Sequence, residues 1–124
     1  MNGSVSFPLF VLEKDDSSMF LVEVPDKLLY HMEPIDIENG EYICWDTNGN
    51  AVRISVAGQR VTGIEYGAAE MPLAEAFRRH SAAFGLDVDT TGPPDEIWRR
   101  LKEAESRLPR KGGLLSWLFK RTNP

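Results

Sequence analysis

The sequence has little cysteine and no long apolar run. Cys44 is the only cysteine among 124 residues, which excludes an intramolecular disulfide, a CxxC redox pair and a thiolate-rich zinc site. A chain without disulfides is typical of a reducing compartment, so we expect a cytoplasmic protein. The most apolar segments, 7–12 and 114–119, are far shorter than the ~20 residues that cross a bilayer. No basic region followed by a cleavable apolar stretch opens the chain, so neither a secretion signal nor a transmembrane helix is predicted.

Basic residues are also scarce, and they are unevenly placed. The chain has 14 Lys and Arg against 19 Asp and Glu, a formal net charge of −5, so it lacks the basic excess that attracts nucleic acid. Residues 1–66 contain 11 acids and 4 bases, whereas residues 67–124 contain 8 acids and 10 bases. Beyond Glu105 there are five bases and no acid. We expect a basic partner for the first half, an acidic or apolar one for the C-terminal end, and attraction between the two ends within or between chains.

Motifs of common enzymes and metal sites are missing as well. The sequence contains no glycine-rich phosphate loop, no G-x-S-x-G and no H-E-x-x-H, the patterns of nucleotide binding, serine hydrolysis and zinc proteolysis. A calcium-loop-like stretch begins at Asp46, but Ala57 stands where the bidentate glutamate belongs. Three nearby carboxylates, Asp36, Glu38 and Glu41, fit an exposed acidic loop as well as acid–base chemistry. We predict no catalytic residue, no metal site and no cofactor.

The first pattern along the chain is that of β-strands. Segments 7–13 and 19–24 carry β-forming residues on both faces and are separated by polar turn residues, which predicts a hairpin of two central strands. Pro25 opens a short helix that Pro34 ends. Residues 35–37 are interpreted as a further short strand.

Two glycine-containing pairs predict hairpin turns in the following segment. A two-residue turn at Asn48-Gly49 sets Trp45 opposite Val52 and Ile43 opposite Ile54, so one face of the ribbon is apolar. A second turn at Gly58-Gln59 sets Val56 opposite Val61, and a bulge at Gly63 is needed to keep the following apolar residues in phase.

After residue 66 the apolar pattern changes to the helical period. Residues 72–84 and 94–108 repeat apolar groups every three to four positions, and Gly85 is a natural C-terminal cap for the first helix. Strands followed by helices predict an α+β fold, with a mostly antiparallel sheet of about five strands in the N-terminal two-thirds and packing helices from the C-terminal part. We assign residues 1–110 to a single domain.

Residues 111–124 are predicted to be a separate apolar and basic segment, interpreted as a short docking helix after a glycine hinge. Three interpretations stay open: it packs on its own domain, it forms a homo-oligomer or partner interface, or it touches a membrane surface peripherally. The candidate interaction surface consists of Leu114, Leu115, Trp117, Leu118, Phe119, Lys120 and Arg121.

Two functional hypotheses follow. The preferred one is a small acidic, non-enzymatic protein–protein interaction module, of an inhibitor, immunity-like or regulatory kind, whose partner is another protein or a second copy in a homodimer. The alternative is a small-molecule-binding protein or enzyme with a pocket between the sheet and the helices. The residues that would line that pocket are Tyr42, Trp45, Tyr66 and His80.

Overall fold

A computed structural model describes residues 4–108, and its secondary structure runs from strands to helices. In chain order the elements are β1 (Leu9–Glu13), β2 (Ser18–Val22), a 3₁₀ turn (Pro25–Lys27), α1 (Leu28–His31), α2 (Pro34–Glu38), β3 (Tyr42–Trp45), β4 (Ala51–Ala57), β5 (Arg60–Tyr66), α3 (Leu73–Ala83) and α4 (Pro94–Ser106). The strands form one antiparallel sheet in the order β2-β1-β3-β4-β5. The predicted α+β fold is confirmed. Within this part of the chain, no helix is long and apolar enough to span a bilayer.

The strand β1 is buried on both faces because apolar residues occupy every position from Leu9 to Leu12. Leu9 and Val11 belong to one core, which α1 and α2 cover and which we call the α1–α2 core. Phe10 and Leu12 belong to the second, the α3–α4 core. The β1–β2 hairpin is confirmed. The prediction that β2 is also central is wrong, because the chain leaves the sheet at Pro25 and no strand of residues 4–108 pairs with the outer side of β2.

The proline that ends the first short helix also begins another. Pro34 occupies the first turn of α2, and the carbonyl of Glu33 accepts the N–H groups of Asp36 (3.0 Å) and Ile37 (3.1 Å). Proline suits this position because its missing N–H has no partner in a first helical turn. The strand predicted at residues 35–37 is therefore wrong, and those residues are helical.

The hairpin between β3 and β4 is shifted by one residue from the predicted register. Val52 lies opposite Cys44, not Trp45, and Trp45 lies opposite Ala51. A shift of one residue turns each side chain to the other face of a strand. As a result Cys44 and Val52 share the α1–α2 core, whereas Trp45 and Ile43 belong to the α3–α4 core.

The loop explains the shift. The N–H of Asp46 donates to the carbonyl of Asn50 (2.9 Å), and the N–H of Gly49 donates to the carbonyl of Asp46 (3.0 Å). The pair Asp46 and Asn50 therefore closes a loop of three residues, 47–49, instead of the predicted two. Gly49 has a φ of +86°, the left-handed conformation that such a three-residue loop requires.

The second hairpin matches its prediction. The strands β4 and β5 pair Val56 with Val61 across a turn at residues 58–59, and the register shifts between Ser55 and Val56. Thr62 is the extra residue of the bulge, since Gly63 is the partner of Ser55. The bulge lets the apolar residues of both strands meet on one face.

The two predicted long helices are confirmed as α3 and α4. Gly85 follows α3 with a φ of +65°, as its capping role predicts. The helices cover only one face of the sheet, where their apolar sides enclose Trp45. That core consists of Phe10, Leu12, Met19, Ile43, Trp45, Leu73, Ala76, Phe77, Leu86, Ile97 and Leu101. On the other face the short helices close over Leu9, Val11, Val22, Leu28, Met32, Cys44 and Val52.

Candidate functional site

The four residues proposed for a pocket lie apart in the fold. Trp45 is 1% exposed within the α3–α4 core, where its Nε1 donates to the carbonyl of Met71 (3.2 Å). Tyr42 packs against the opposite core. Tyr66 is 41% exposed on the edge strand β5, and His80 is buried among the helices. Because these residues occupy two faces of the sheet, the structure does not bring them together.

His80 is a satisfied buried residue, as its place on the apolar side of α3 predicts. Its Nε2 lies 2.7 Å from Oε2 of Glu105, and its Nδ1 lies 3.1 Å from the carbonyl oxygen of Ser17. One ring therefore ties α3 to α4 and to the turn between β1 and β2. Both ring nitrogens are occupied by these contacts, which fits a role in holding the helices on the sheet.

The other chemically reactive groups are also used by the fold. Burial raises the pKa of the Cys44 thiol to about 12, so this residue is a packing group rather than a nucleophile. Asp46, the first residue of the calcium-loop-like stretch, accepts the N–H groups of Asn48 and Asn50 (both 2.9 Å) and the hydroxyl of Tyr66 (2.9 Å). Among residues 4–108 there is no group of three or more His, Cys, Asp or Glu that could hold a metal ion.

A cleft of about 440 Å³ opens beside α1 and α2, and we call it the acidic cleft. Three carboxylates line it: Glu13 at the end of β1, Glu33 between the helices and Asp36 in α2. The hydroxyl of Tyr42 accepts the backbone N–H of Glu33, which connects the start of β3 to the junction of the helices. The remaining lining residues are Leu29, Tyr30, His31 and Met32.

The electrostatic field in this cleft is negative. Burial, together with the nearby charges of Asp36, Glu33 and Glu41, raises the pKa of Tyr42 to about 12, because a phenolate is disfavoured away from water and beside carboxylates. Within residues 4–108 no Lys or Arg forms a salt bridge with Glu33 or Asp36. Five carboxylates elsewhere are paired with basic side chains: Glu70, Glu75, Glu96, Glu103 and Glu105.

Exposed apolar side chains surround the same short helices. Val24 is 47% exposed, Leu29 36%, Tyr30 77% and Ile35 56%. In the described part of the chain, Tyr66 is the one other large apolar residue with a comparable exposed fraction. We call these four residues the apolar patch. Carboxylates and exposed apolar side chains therefore lie side by side on this surface.

Three rings that line the cleft, those of Tyr30, His31 and Tyr42, belong to a chain of aromatic contacts that includes Phe20. The ring of His31 lies 5.5 Å from that of Phe20 and 5.1 Å from that of Tyr30, and Phe20 lies 6.1 Å from Tyr42. The Nζ atom of Lys27 sits 5.0 Å from the centre of the Tyr30 ring. This contact is a cation–π interaction within the chain, so the face of Tyr30 already accommodates one ammonium group.

The sequence gives only part of this site. Residues 36, 38 and 41 are recognisable as an acidic cluster, but Glu13 and Tyr42 come from strands, and only pairing between β1 and β3 brings them beside it. The sequence signal that could have revealed the rest of the site is the mixture of apolar and acidic residues around Tyr30. The candidate surface Leu114, Leu115, Trp117, Leu118, Phe119, Lys120 and Arg121 lies outside the described residues.

Comparison of the chain with protein-family models, curated proteins and solved structures finds no match. Geometry and charge therefore carry the functional interpretation.

Proposed function

We propose that this protein is a non-enzymatic interaction module that binds a basic protein partner through the acidic cleft and the apolar patch. The observation that carries the proposal is the coincidence of two features on the segment 24–36. It holds carboxylates without basic partners within residues 4–108, and it holds four of the five most exposed large apolar residues. A lysine or arginine of a partner would enter the cleft, and its apolar neighbours would cover Tyr30.

The single buried cysteine agrees with a reducing compartment, so the proposal retains the cytoplasm as the place of action. The enzyme alternative has less support, because His80, Cys44 and Asp46 are each engaged by the fold.

The proposal is tested by titrating the protein with octalysine while backbone amide shifts are recorded. We expect the largest shifts at Tyr30, Glu33 and Asp36, and no response to octaglutamate. Replacing Glu33 and Asp36 by their amides, Glu33→Gln with Asp36→Asn, should weaken binding about three- to tenfold, since exposed charge pairs contribute up to ~1 kcal/mol each.

A matched control removes two acids elsewhere, Glu65→Gln on β5 and Asp95→Asn at the start of α4, both exposed. If the control weakens octalysine binding as much as the cleft variant does, the attraction belongs to overall charge and the proposed site is wrong.

A further inference from the structure

We infer that the acidic cleft is occupied by the chain's own C-terminal segment, residues 109–124, so that an external basic partner must displace it. This inference rests on the proposed function of the cleft and adds its regulation. It commits to contact within one chain, in preference to a second copy or a membrane.

Charge complementarity is the first support. Residues 109–124 contain four bases and no acid. The cleft presents Glu13, Glu33 and Asp36, and the field of neighbouring acids is strong enough to contribute to the raised pKa of Tyr42. Opposite charges on two parts of one chain meet at a high effective concentration, which favours contact in cis over contact between molecules.

Apolar complementarity is the second support. The bases of the segment flank five large apolar residues between 114 and 119. The acids of the cleft likewise adjoin the apolar patch, in which Tyr30 is 77% exposed and Ile35 56%. A surface that combines carboxylates with exposed apolar groups matches a segment that combines bases with apolar groups. The α3–α4 face offers a weaker match, because several of its exposed acids are already paired with arginines.

The place where the described chain ends is the third support. Glu105, in the last turn of α4, contacts His80 (2.7 Å), and His80 contacts the carbonyl of Ser17 (3.1 Å). The N–H of Ser17 donates to the carbonyl of Glu13 (2.9 Å), a residue that lines the cleft. Three hydrogen bonds thus lead from the end of α4 to the cleft.

The connecting chain adds reach beyond the end of α4. Five residues, 109–113, separate Leu108 from the apolar group. An extended chain advances at most ~3.3–3.6 Å per residue, so this connection reaches about 17 Å. Gly112 and Gly113 allow it to turn around the end of the sheet.

The test is paramagnetic relaxation in the full chain with a nitroxide label on Thr122→Cys. Cys44 is 5% exposed, so we expect it to stay unlabelled. Mass spectrometry that shows a single added label per chain confirms this. We expect enhanced relaxation of the amides of Tyr30, Glu33 and Asp36. The amides of residues 48–50, in the loop at the opposite end of the sheet, serve as the internal control.

Enhancement at the cleft that is unchanged on dilution supports the inference. Enhancement centred on α3 and α4, or absent throughout residues 4–108, overturns it. Mixing labelled unenriched protein with unlabelled ¹⁵N protein distinguishes the remaining case, because enhancement in that mixture means contact with a second copy and overturns contact in cis.

Charge reversal separates this inference from the proposed function. Arg121→Glu should reduce the enhancement at the cleft about two- to fivefold and strengthen octalysine binding by a similar factor, the effect of one exposed charge pair. The control Arg78→Glu, an exposed residue of α3, changes net charge equally and should leave the enhancement unchanged.

If octalysine binds wild type and both reversal variants equally, the segment does not compete and the inference fails while the proposed function stands. If octalysine binds none of them at the cleft but the relaxation persists, the segment docks in cis and the proposed function fails.

Discussion

At the scale of single residues, polar side chains that resemble catalytic or ligand groups are used to close the fold. Asp46 is 1% exposed. Burial alone raises the pKa of such a carboxyl, but the hydrogen bonds from Asn50, Tyr66 and Asn48 outweigh it, and the pKa of Asp46 lies below its ordinary value. A buried carboxylate with several donors is a structural acceptor, so its role is a matter of stability.

Asp46→Asn should lower the free energy of unfolding by about 1–3 kcal/mol, because the amide nitrogen cannot accept the bonds that one carboxylate oxygen accepts. Urea denaturation at neutral pH measures the loss. Tyr66→Phe is the comparison, since it removes one of these bonds and should cost less, about 0.5–1.5 kcal/mol. Equal stability of Asp46→Asn and wild type would contradict this role.

Glu105 gives a prediction about pH. Burial raises its pKa, but hydrogen bonds from His80 and Lys102 outweigh this and hold the pKa below its ordinary value. The folded state therefore favours the ionised form more than the unfolded state does. The resulting stability is present above the unfolded pKa of about 4.3, and it is lost as the pH falls through the lower folded pKa.

Glu105→Gln should therefore lower the free energy of unfolding by about 1–2 kcal/mol at pH 7. The difference in this free energy between the variant and wild type should become smaller below about pH 4. Urea unfolding of both proteins at pH 7 and in the acidic range provides the measurement. A gap that stays constant over this range would show that the hydrogen bonds of Glu105 do not depend on its ionisation.

At the scale of elements, local turn chemistry determines both hairpins, but only one of them has the turn length that its glycine-containing pair predicts. The β4–β5 turn has Gly58 at a φ of +60° and Gln59 at a negative φ, as a two-residue type II′ turn requires. The β3–β4 loop contains the strong turn pair Asn48-Gly49 and still adopts three residues, because the carboxylate of Asp46 binds the loop backbone.

Gly58→Ala should destabilise the protein by about 1 kcal/mol, because an alanine at positive φ is strained. Gly67→Ala is the matched control, since no positive φ is found there and its added Cβ would meet the Arg53 side chain at an ordinary contact distance of 3.6 Å. Thermal or urea unfolding of the two variants compares them. An equal loss in both would mean that the turn conformation is not the cause.

At the scale of the whole molecule, we predict that residues 111–124 are not needed for folding. Residues 4–108 by themselves supply two clusters of buried apolar side chains, in which Leu101 and Leu9 are fully buried. A chain ending at Arg110 should unfold in one cooperative transition, with a free energy of unfolding lower by no more than about 2 kcal/mol, the contribution of a surface contact with few charge pairs.

Urea denaturation followed by tryptophan fluorescence measures this, because Trp45 reports on the α3–α4 core. A broad, non-cooperative transition would mean that the segment belongs to the core and that the predicted boundary at residue 110 is wrong. The slope of the transition should stay close to that of the full chain, because the slope scales with the surface exposed on unfolding and both described cores remain in the shortened chain.

The sequence alone determined the elements whose reasons are local. Helical periodicity with capping defines α3 and α4, and turn residues together with a phase argument define the β4–β5 hairpin and its bulge. The order of strands before helices determined the α+β class. Two further features have local causes that the patterns missed: Asp46 binds the loop backbone and shifts the β3–β4 register, and Pro34 begins α2 where a strand was predicted. Tertiary structure decided the place of β2 at the edge of the sheet. The acidic cleft also arises only in three dimensions, because β1 and β3 pair and carry Glu13 and Tyr42 to the short helices. Local patterns cannot specify contacts between residues that lie far apart in the chain, since those depend on which surfaces are buried together.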